Sequence, residues 1–303
     1  MPFVLKVEYL GKNKIMITLE NELLKASFVQ KGAELQSLIS KTSGLEYIWD
    51  ANPKHWAKHS PVLFPIVGAL KDDQYVYQDQ SFPLSRHGFA RDMEFELESK
   101  SADEIVFTLK ASTETQQVFP FDFSFSLIYT LTKHGLGCTY KVYNPSDADL
   151  LFSVGGHPAF ATPIDENIKY EDYFLRFSED EEIVVNKIAD NLISEEIINI
   201  PLRDKMLPLT HELFYQDALV IKSLKSKKIT LQNKVNSHGL HFNFDGFPYF
   251  GIWSAKDANF VCLEPWCGIA DGVNASGQLS EKEGIIILSA EESWQRTWSV
   301  DIF

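Results

Sequence analysis

Short stretches in which apolar and polar residues alternate recur along the whole chain. The clearest is Phe121–Leu127, which places three phenylalanines on one face. An alternation with a period of two residues is typical of a β-strand with one buried face. The same alternation, or a short apolar run bounded by turn residues, predicts further strands. These cover residues 14–19, 24–29, 33–39, 93–98, 104–110, 137–143, 150–154, 218–224, 228–233, 239–244, 249–254, 260–263 and 284–288.

Helical patterns are rare by comparison. Residues 52–59 are a candidate for one short helix, and residues 181–185 are ambiguous. The weakest pattern lies between Asp165 and Arg203, where acidic residues cluster at 178–182, and we expect an exposed insertion or a lid-like excursion from the sheet there. Because no flexible linker or short repeat interrupts the chain, residues 1–303 are predicted to form a single all-β domain, a large sandwich or barrel.

The composition is that of an ordinary globular protein, with 45% hydrophobic and 23% charged residues in a chain of 303. The net charge is −14 and the Lys and Arg residues are scattered, so no basic face for a nucleic-acid backbone is expected. The apolar runs are too short to cross a bilayer, and Met1–Lys6 does not resemble a signal peptide. We therefore expect a cytoplasmic protein without nucleic-acid or membrane partners.

The cysteines and the absent motifs narrow the chemistry. Cys138, Cys262 and Cys267 are too few for a disulfide framework, and we expect reduced, mostly buried thiols. The spacing of Cys262 and Cys267 fits no common zinc motif. The sequence also lacks a G-x-S-x-G nucleophile elbow, an H-E-x-x-H zinc motif, a P-loop and a dinucleotide fingerprint. Acid–base chemistry without a metal or cofactor remains.

Two histidines are candidates for such chemistry. His157 follows two glycines and precedes Pro158, which biases the backbone of His157 away from a helix, so this loop can project the imidazole into a cleft. The alternative is a hydrogen-bonded histidine in the core. His87 precedes Gly88, which permits a close backbone approach, and the alternative there is a surface histidine in a turn.

Glu264 is the candidate carboxylate. It follows the apolar run Phe260–Leu263, and Pro265 and Trp266 are expected to end that strand. Burial beside the strand would raise the pKa of the carboxyl toward the range of a general base. The alternative is a glutamate at the sheet edge that faces solvent. Three aromatic residues offer either an apolar platform for a sugar or ordinary core packing: Trp266, Trp253 and Phe160.

Four segments occur in the order found in the aldose 1-epimerase superfamily: Phe64–Gly68, His87–Asp92, Gly156–Phe160 and Glu264–Trp266. Over nearly its whole length the chain resembles this galactose mutarotase-like group, in particular its LacX-like bacterial branch. The resemblance implies a large antiparallel β-sandwich of the supersandwich type, which agrees with the strand pattern. It also implies a cofactor-independent isomerase that acts on a small-molecule sugar, a hexose or a hexose phosphate.

The resemblance also implies a role for each of four residues. His157 matches the general acid that protonates the ring oxygen of a pyranose, and Glu264 matches the base that takes the proton of the anomeric hydroxyl. His87 matches a histidine that hydrogen-bonds the sugar and stabilises developing charge. Asp217 matches, on a looser alignment, an aspartate that holds sugar hydroxyls.

One position departs from the family pattern. An arginine that binds the substrate commonly follows the Phe-Pro-x-x-Gly segment, whereas this chain has Ala69. Lys71, Arg86 or Arg91 is expected to compensate. Because the same three cations are candidates for binding a phosphate, a hexose-6-phosphate 1-epimerase is one alternative. A carbohydrate-binding protein that has lost turnover is the other, and a homodimer is compatible with either.

Overall fold

The computed structural model of the chain describes residues 8–9 and 15–303, so that Met1–Lys6 lies outside the described residues. Strands are the predominant secondary structure of the described chain, and its helices are single turns. The strands are β1 (Glu8–Tyr9), β2 (Ile15–Glu20), β3 (Leu24–Phe28), β4 (Leu35–Ser40), β5 (Val62–Leu63), β6 (Gln74–Tyr77), β7 (Gln80–Pro83), β8 (Glu96–Lys100), β9 (Glu104–Lys110), β10 (Ser124–Leu131), β11 (Gly135–Tyr143), β12 (Leu150–Phe152), β13 (Val154–Gly156), β14 (Ala159–Ala161), β15 (Tyr173–Phe177), β16 (Glu182–Ala189), β17 (Leu192–Pro201), β18 (Met206–Pro208), β19 (Leu219–Ile221), β20 (Lys228–Asn233), β21 (Gly239–Asn243), β22 (Tyr249–Trp253), β23 (Phe260–Cys267), β24 (Ile286–Leu288) and β25 (Ser293–Ile302). The helices are α1 (Thr113–Gln116) and the 3-10 turns Lys71–Asp73, Ala90–Asp92, Tyr170–Asp172, His211–Phe214 and Leu279–Glu281.

Two large antiparallel sheets dominate the fold. The nine-stranded sheet has the order β18-β15-β20-β21-β25-β11-β10-β9-β8. The eight-stranded sheet has the order β17-β16-β19-β22-β23-β13-β5, with β14 also paired to β23. A four-stranded sheet (β1 to β4) and two strand pairs (β12 with β24, β6 with β7) complete the described part of the chain. The predicted all-β fold and its large antiparallel sandwich are confirmed.

The core lies between the two large sheets. Phe242 of β21 contacts Phe160 of β14 at 5.7 Å and Phe250 of β22 at 6.2 Å between ring centroids, so it joins the two layers. Phe64, next to β5, stacks on Phe125 of β10 at 4.3 Å. The three phenylalanines of the 121–127 alternation are all buried, as predicted, although β10 begins only at Ser124. Alternation therefore identified the buried face correctly and the strand boundary less well.

Two other predictions about elements are wrong. Residues 52–59 form a turn and not a helix, and there the amides of His55 and Trp56 both donate to the carbonyl of Asn52. So short a segment has little helical stability of its own. The indole of Trp56 instead packs against Trp253 of β22 and Phe260 of β23. Residues 165–203 are not an excursion from the sheet. They contain β15, an inner strand of the nine-stranded sheet, and the hairpin of β16 and β17, which ends the eight-stranded sheet.

The two faces of the eight-stranded sheet have different neighbours. On β23, Val261 and Leu263 face the core between the sheets, whereas Glu264 and Trp266 face outward. All eight residues of β23 are nevertheless buried, because loops cover the outer face. Because both faces of β23 are buried, its sequence begins with a continuous apolar run and not with an alternation of apolar and polar residues.

β23 continues through Pro265 to Cys267, so the predicted strand end at Pro265 is wrong. Pro265 pairs with Phe250 of β22 on one side. On the other side, β14 pairs with the first half of β23 and β13 with the second half, and the chain between them leaves the sheet beside Pro265. The missing N–H of proline therefore falls where no ladder partner is present.

The three cysteines are buried and form no disulfide, as predicted. In the part of the chain that the structure describes, no helix has the length and apolarity needed to span a membrane.

Candidate active site

The break between β13 and β14 brings a histidine next to Glu264. His157 lies in this break, and its amide donates to the carbonyl of Pro61 at 3.0 Å, which holds the turn in place. Its Nε2 atom lies 3.4 Å from Oε2 of Glu264. The side chains of His157 and Glu264 are 10% and 2% exposed. An imidazole and a carboxyl group therefore meet in a nearly dry environment.

Aromatic rings enclose the imidazole of His157. Trp56 stacks on it with ring centroids 4.8 Å apart, and Trp253 meets it edge-on at 5.5 Å. The Nδ1 atom of His157 is buried and has no hydrogen-bond partner. Apolar walls on two sides favour the uncharged form of the ring, because a buried charge loses its hydration.

His87 completes the group. Its φ of 69° and the φ of 68° at Gly88 turn the chain sharply, and a Cβ atom on Gly88 would overlap the carbonyl of Phe64. The imidazole of His87 lies 5.9 Å from that of His157 between ring centroids. The structure thus brings His87, His157 and Glu264 together on the outer face of the eight-stranded sheet.

The tautomer of His87 follows from its hydrogen bonds. The Gly68 amide donates to Nδ1 at 3.0 Å, so the proton of a neutral imidazole must be on Nε2. The guanidinium Nε of Arg86 lies 3.2 Å from that same Nε2 atom, although both groups are then donors. The two hydrogen bonds cannot coexist on one neutral ring. The bond from the Gly68 amide fixes the tautomer, and it leaves the Nε2 proton of His87 and the Nε proton of Arg86 available to a ligand.

Burial displaces the pKa values of all three groups. It lowers the pKa of His157 to about 3, and the positive charges of Arg86 and Arg91 add to the effect. Burial likewise lowers the pKa of His87 well below its usual range. Burial raises the pKa of Glu264 well above its usual range, opposed by Arg86. The indole of Trp266 also lowers the Glu264 pKa, although its N–H makes no hydrogen bond of good geometry. Burial therefore favours a neutral imidazole beside a protonated carboxyl.

The three residues open into a cavity of about 460 Å³, within the range of small-ligand sites. Four further candidates from the sequence line it, namely Asp217, Arg86, Arg91 and Trp266. Trp253 also lines it, whereas Phe160 is buried between the sheets. The cavity is thus lined by both aromatic and charged side chains.

Lys71 is the candidate that the structure places elsewhere. It is absent from the lining of the cavity, and its ammonium group lies 3.4 Å from the carbonyl of Ala275 in a different loop. Ala69 is buried and does not line the cavity either. The cations on this wall are Arg86 and Arg91, and Arg91 donates to the carbonyl of Arg86 at 2.9 Å.

Trp56 and Asn191 are among the cavity residues that the sequence analysis missed. Trp56 comes from the turn that was taken for a helix, and Asn191 from the tip of the β16–β17 hairpin. Asn191 accepts a hydrogen bond of 3.1 Å from Arg86, which joins the hairpin to the wall. A tryptophan among polar residues in 52–59 was the available signal for Trp56. Nothing local distinguished Asn191.

Comparison with known proteins identifies the family. The sequence profile described as aldose 1-epimerase matches residues 16–300. The chain belongs to the aldose 1-epimerase family. It is similar to the chromosomal LacX protein of Lactococcus lactis subsp. lactis, with 32% identity over 296 residues that cover 94% of this chain and 99% of that protein.

Solved structures agree with the family assignment. This aldose 1-epimerase family member is similar to a galactose mutarotase related enzyme from Lactobacillus acidophilus, with a TM-score of 0.91, 36% identity and coverage of 95% and 97% of the two chains. It is also similar to a galactose mutarotase-like protein from Lactobacillus casei, with a TM-score of 0.89, 32% identity and coverage of 95% and 100%. The fold is therefore galactose mutarotase-like, and the family supports an isomerase that acts on a sugar.

Proposed function

We propose that the protein is an aldose 1-epimerase that interconverts the α and β anomers of a hexose. The observation that carries this proposal is the contact of 3.4 Å between His157 Nε2 and Glu264 Oε2 in a cavity that three tryptophans also line. Opening a pyranose ring requires one proton to be added to the ring oxygen and one to be removed from the anomeric hydroxyl. An adjacent acid and base can perform both steps without a cofactor.

In this mechanism one proton belongs to the pair. With the proton on His157, the imidazolium protonates the ring oxygen while the Glu264 carboxylate takes the proton of the anomeric hydroxyl. The ring opens to the free aldehyde, and the pair is left as neutral imidazole and carboxylic acid. Rotation about the C1–C2 bond followed by the reverse transfers closes the ring on the other face. The pair returns to its starting state, so protons balance over the cycle.

The other cavity residues have supporting roles in this proposal. His87 donates its Nε2 proton to a sugar oxygen, since its Nδ1 atom is occupied by the Gly68 amide. Asp217 accepts from sugar hydroxyls, and Trp266 and Trp253 cover the apolar face of the ring. Mutarotation already proceeds in water, so the enzyme needs to provide only a modest acceleration. Positioned acid and base groups contribute about 10²–10⁴-fold, with orientation adding more.

Polarimetry tests the proposal. Freshly dissolved α-galactose or α-glucose should reach its equilibrium rotation faster in the presence of the protein. Glu264→Gln and His157→Gln should each reduce the catalysed rate by about 10²–10⁴-fold. His134→Gln is the matched control, because His134 is an exposed histidine outside the cavity. Full activity in both cavity variants would refute the assignment.

A specific observation also favours a phosphorylated hexose. Arg86 and Arg91 line the cavity, although the chain as a whole carries a net charge of −14. Guanidinium groups bind phosphate through paired, charge-assisted hydrogen bonds. In the competing interpretation the substrate is an uncharged sugar. Arg86 and Arg91 then take the place of the arginine that family members commonly have at the position of Ala69.

Competition between a hexose and its 6-phosphate separates these two substrates. If the phosphate is the substrate, Arg86→Gln should lower kcat/KM for the hexose 6-phosphate by about 10-fold or more, and change that for the free hexose much less. Lys71→Gln removes an equal charge outside the cavity and serves as the comparison. Binding of a sugar by calorimetry without any rate enhancement would instead indicate a binding protein.

A further inference from the structure

A third side chain lies beside the His157–Glu264 pair and has no role in the proposed reaction. Cys262 is two residues before Glu264 on β23, and because strand side chains alternate, both project from the same face. Cys262 is fully buried. One ligand atom from each of Cys262, His157 and Glu264 can be chosen so that all three lie within 4.8 Å of one another. Among the described residues, this is the only group of three or more histidine, cysteine, aspartate or glutamate side chains whose ligand atoms lie close enough together to hold one metal ion.

We propose that Cys262, His157 and Glu264 form a binding site for Zn²⁺, and that zinc bound there blocks the catalytic pair. Thiolate, imidazole and carboxylate are all common zinc ligands. Three ligands and one open position are the pattern of zinc sites that remain accessible to a small molecule. The open position here would face the cavity.

The distances favour a site that closes with small movements. Three atoms no more than 4.8 Å apart lie within about 2.8 Å of a common point, whereas zinc requires about 2.0–2.3 Å. Each ligand atom therefore needs to move by less than about 1 Å. No hydrogen bond has to be broken to move the imidazole of His157 by this amount, because its Nδ1 atom has no hydrogen-bond partner and its Nε2 atom contacts Glu264, which is itself a proposed ligand.

Charge balance also favours a dication. Neither a lone thiolate nor a lone carboxylate is stable in this buried position, because each would lose its hydration without a counter-ion. Zn²⁺ with one thiolate, one carboxylate and one neutral imidazole has no net charge. Binding displaces the thiol proton, and any proton on Glu264, to solvent. Arg86 and Arg91 face the same cavity and oppose entry of the cation, so the two anionic ligands must outweigh them.

The consequence for activity rests on the proposed function, but the binding itself does not. A metal ion would occupy the lone pairs that His157 and Glu264 use for proton transfer. Micromolar zinc should therefore inhibit anomer interconversion, and a chelator should restore it. Cys262 is not needed for that reaction, so removing its thiol should leave the metal-free rate unchanged and abolish the inhibition.

The test measures metal binding directly, with the full chain freed of metal by chelation. Zn²⁺ is titrated against a chromophoric chelator, and Co²⁺ replaces it to reveal thiolate coordination as a near-ultraviolet charge-transfer band. Cys262→Ala should weaken zinc binding by at least about 100-fold and remove the cobalt band. Cys267→Ala is the matched control, since Cys267 is a buried free thiol on the same strand outside the cluster.

Each outcome decides the proposal. Loss of binding in Cys262→Ala with retention in Cys267→Ala supports it, and Cys262→Ser gives the same comparison if the alanine variant does not fold. Failure of the unmodified protein to bind zinc, or equal binding in Cys262→Ala, overturns it. Zinc binding in a protein that shows no anomer interconversion would contradict the proposed function alone.

Discussion

At the residue scale, Nε2 of His157 and Oε2 of Glu264 lie 3.4 Å apart, and in the proposed mechanism the two groups share one exchangeable proton. Burial lowers the pKa of the imidazole and raises that of the carboxyl, so burial favours the uncharged arrangement of the pair. That arrangement is also the one that the pair reaches when the sugar ring opens in the proposed mechanism. The same desolvation that destabilises the charged pair therefore favours ring opening.

The first prediction at this scale concerns stability. The pKa of Glu264 in the folded protein is raised above its unfolded value of 4.5. The contribution of the protonated carboxyl to the free energy of unfolding is therefore fully present below pH 4.5, and it is lost as the pH rises through the folded-state pKa. Glu264→Gln removes the cost of a buried charge. The variant should be more stable than the unmodified protein at pH 8 by about 1–3 kcal/mol, with the difference shrinking toward pH 4. Urea denaturation at both pH values measures this, and lower stability of the variant at pH 8 would contradict it.

The second prediction is the pH dependence of catalysis. Activity requires one proton on the pair, and it falls when the pair takes up a second proton or loses its only one. Uptake of the second proton is governed by His157, whose pKa is lowered to about 3. Loss of the only proton is governed by the raised pKa of Glu264.

The acid limb of kcat/KM should therefore lie far below 6.5, the usual pKa of histidine, and the alkaline limb well above the usual pKa of glutamate. Initial rates corrected for the uncatalysed reaction at each pH provide the profile. An acid limb centred near 6.5 would show that His157 titrates as an exposed histidine and that burial does not control the site.

At the scale of elements, a buried ion pair supports the loop that carries Gly68. Lys282 lies 2.7 Å from Asp271, with 2% and 5% of these side chains exposed. The second carboxylate oxygen of Asp271 accepts a hydrogen bond from the backbone amide of Lys71 at 3.0 Å. The backbone amide of Asp271 donates to the carbonyl of Ala69 at 2.9 Å. The pair thus fixes the segment whose Gly68 amide sets the tautomer of His87.

Removing one partner leaves the other charge buried and uncompensated. Lys282→Met should lower the free energy of unfolding by about 3–5 kcal/mol. The control is Lys187→Met, which breaks the exposed Lys187–Glu196 pair, whose side chains are 40% and 71% exposed, and should cost less than about 1 kcal/mol. Urea titrations compare the two, and equal effects would mean that the buried pair adds nothing.

Local pattern accounted for some elements and not for others. The buried face of 121–127 was readable because its alternation is regular. The course of β23 past Pro265 was not, because it depends on a gap between β13 and β14 that only the assembled sheet creates. Likewise, the hairpin of β16 and β17 exposes most of β17, which removes the apolar alternation that marks a strand.

At the scale of the whole molecule, the sequence predicted the fold class, and the order of four motifs predicted the family. The meeting of His87 with His157 was implied by the resemblance and could not come from local residues, since it requires the folded sheet. Trp56 and Asn191 reach the cavity from turns that are remote in sequence. The sequence does not distinguish Lys71 from Arg86 as a candidate cation for the site. The structure does, because the side chain of Lys71 points to the carbonyl of Ala275 and that of Arg86 points to His87. The single domain, the homodimer and the cytoplasmic location stay predictions.

Exchange spectroscopy by NMR on an equilibrated hexose in D₂O tests the central claim most directly. It measures the rate at which the α and β anomeric protons interconvert and shows at the same time whether solvent deuterium enters the carbon skeleton. The account predicts faster exchange with the protein, no deuterium at C1 or C2, and a return to the uncatalysed rate in Glu264→Gln. Undiminished exchange in that variant, or deuterium at carbon, would contradict ring opening by the His157–Glu264 pair.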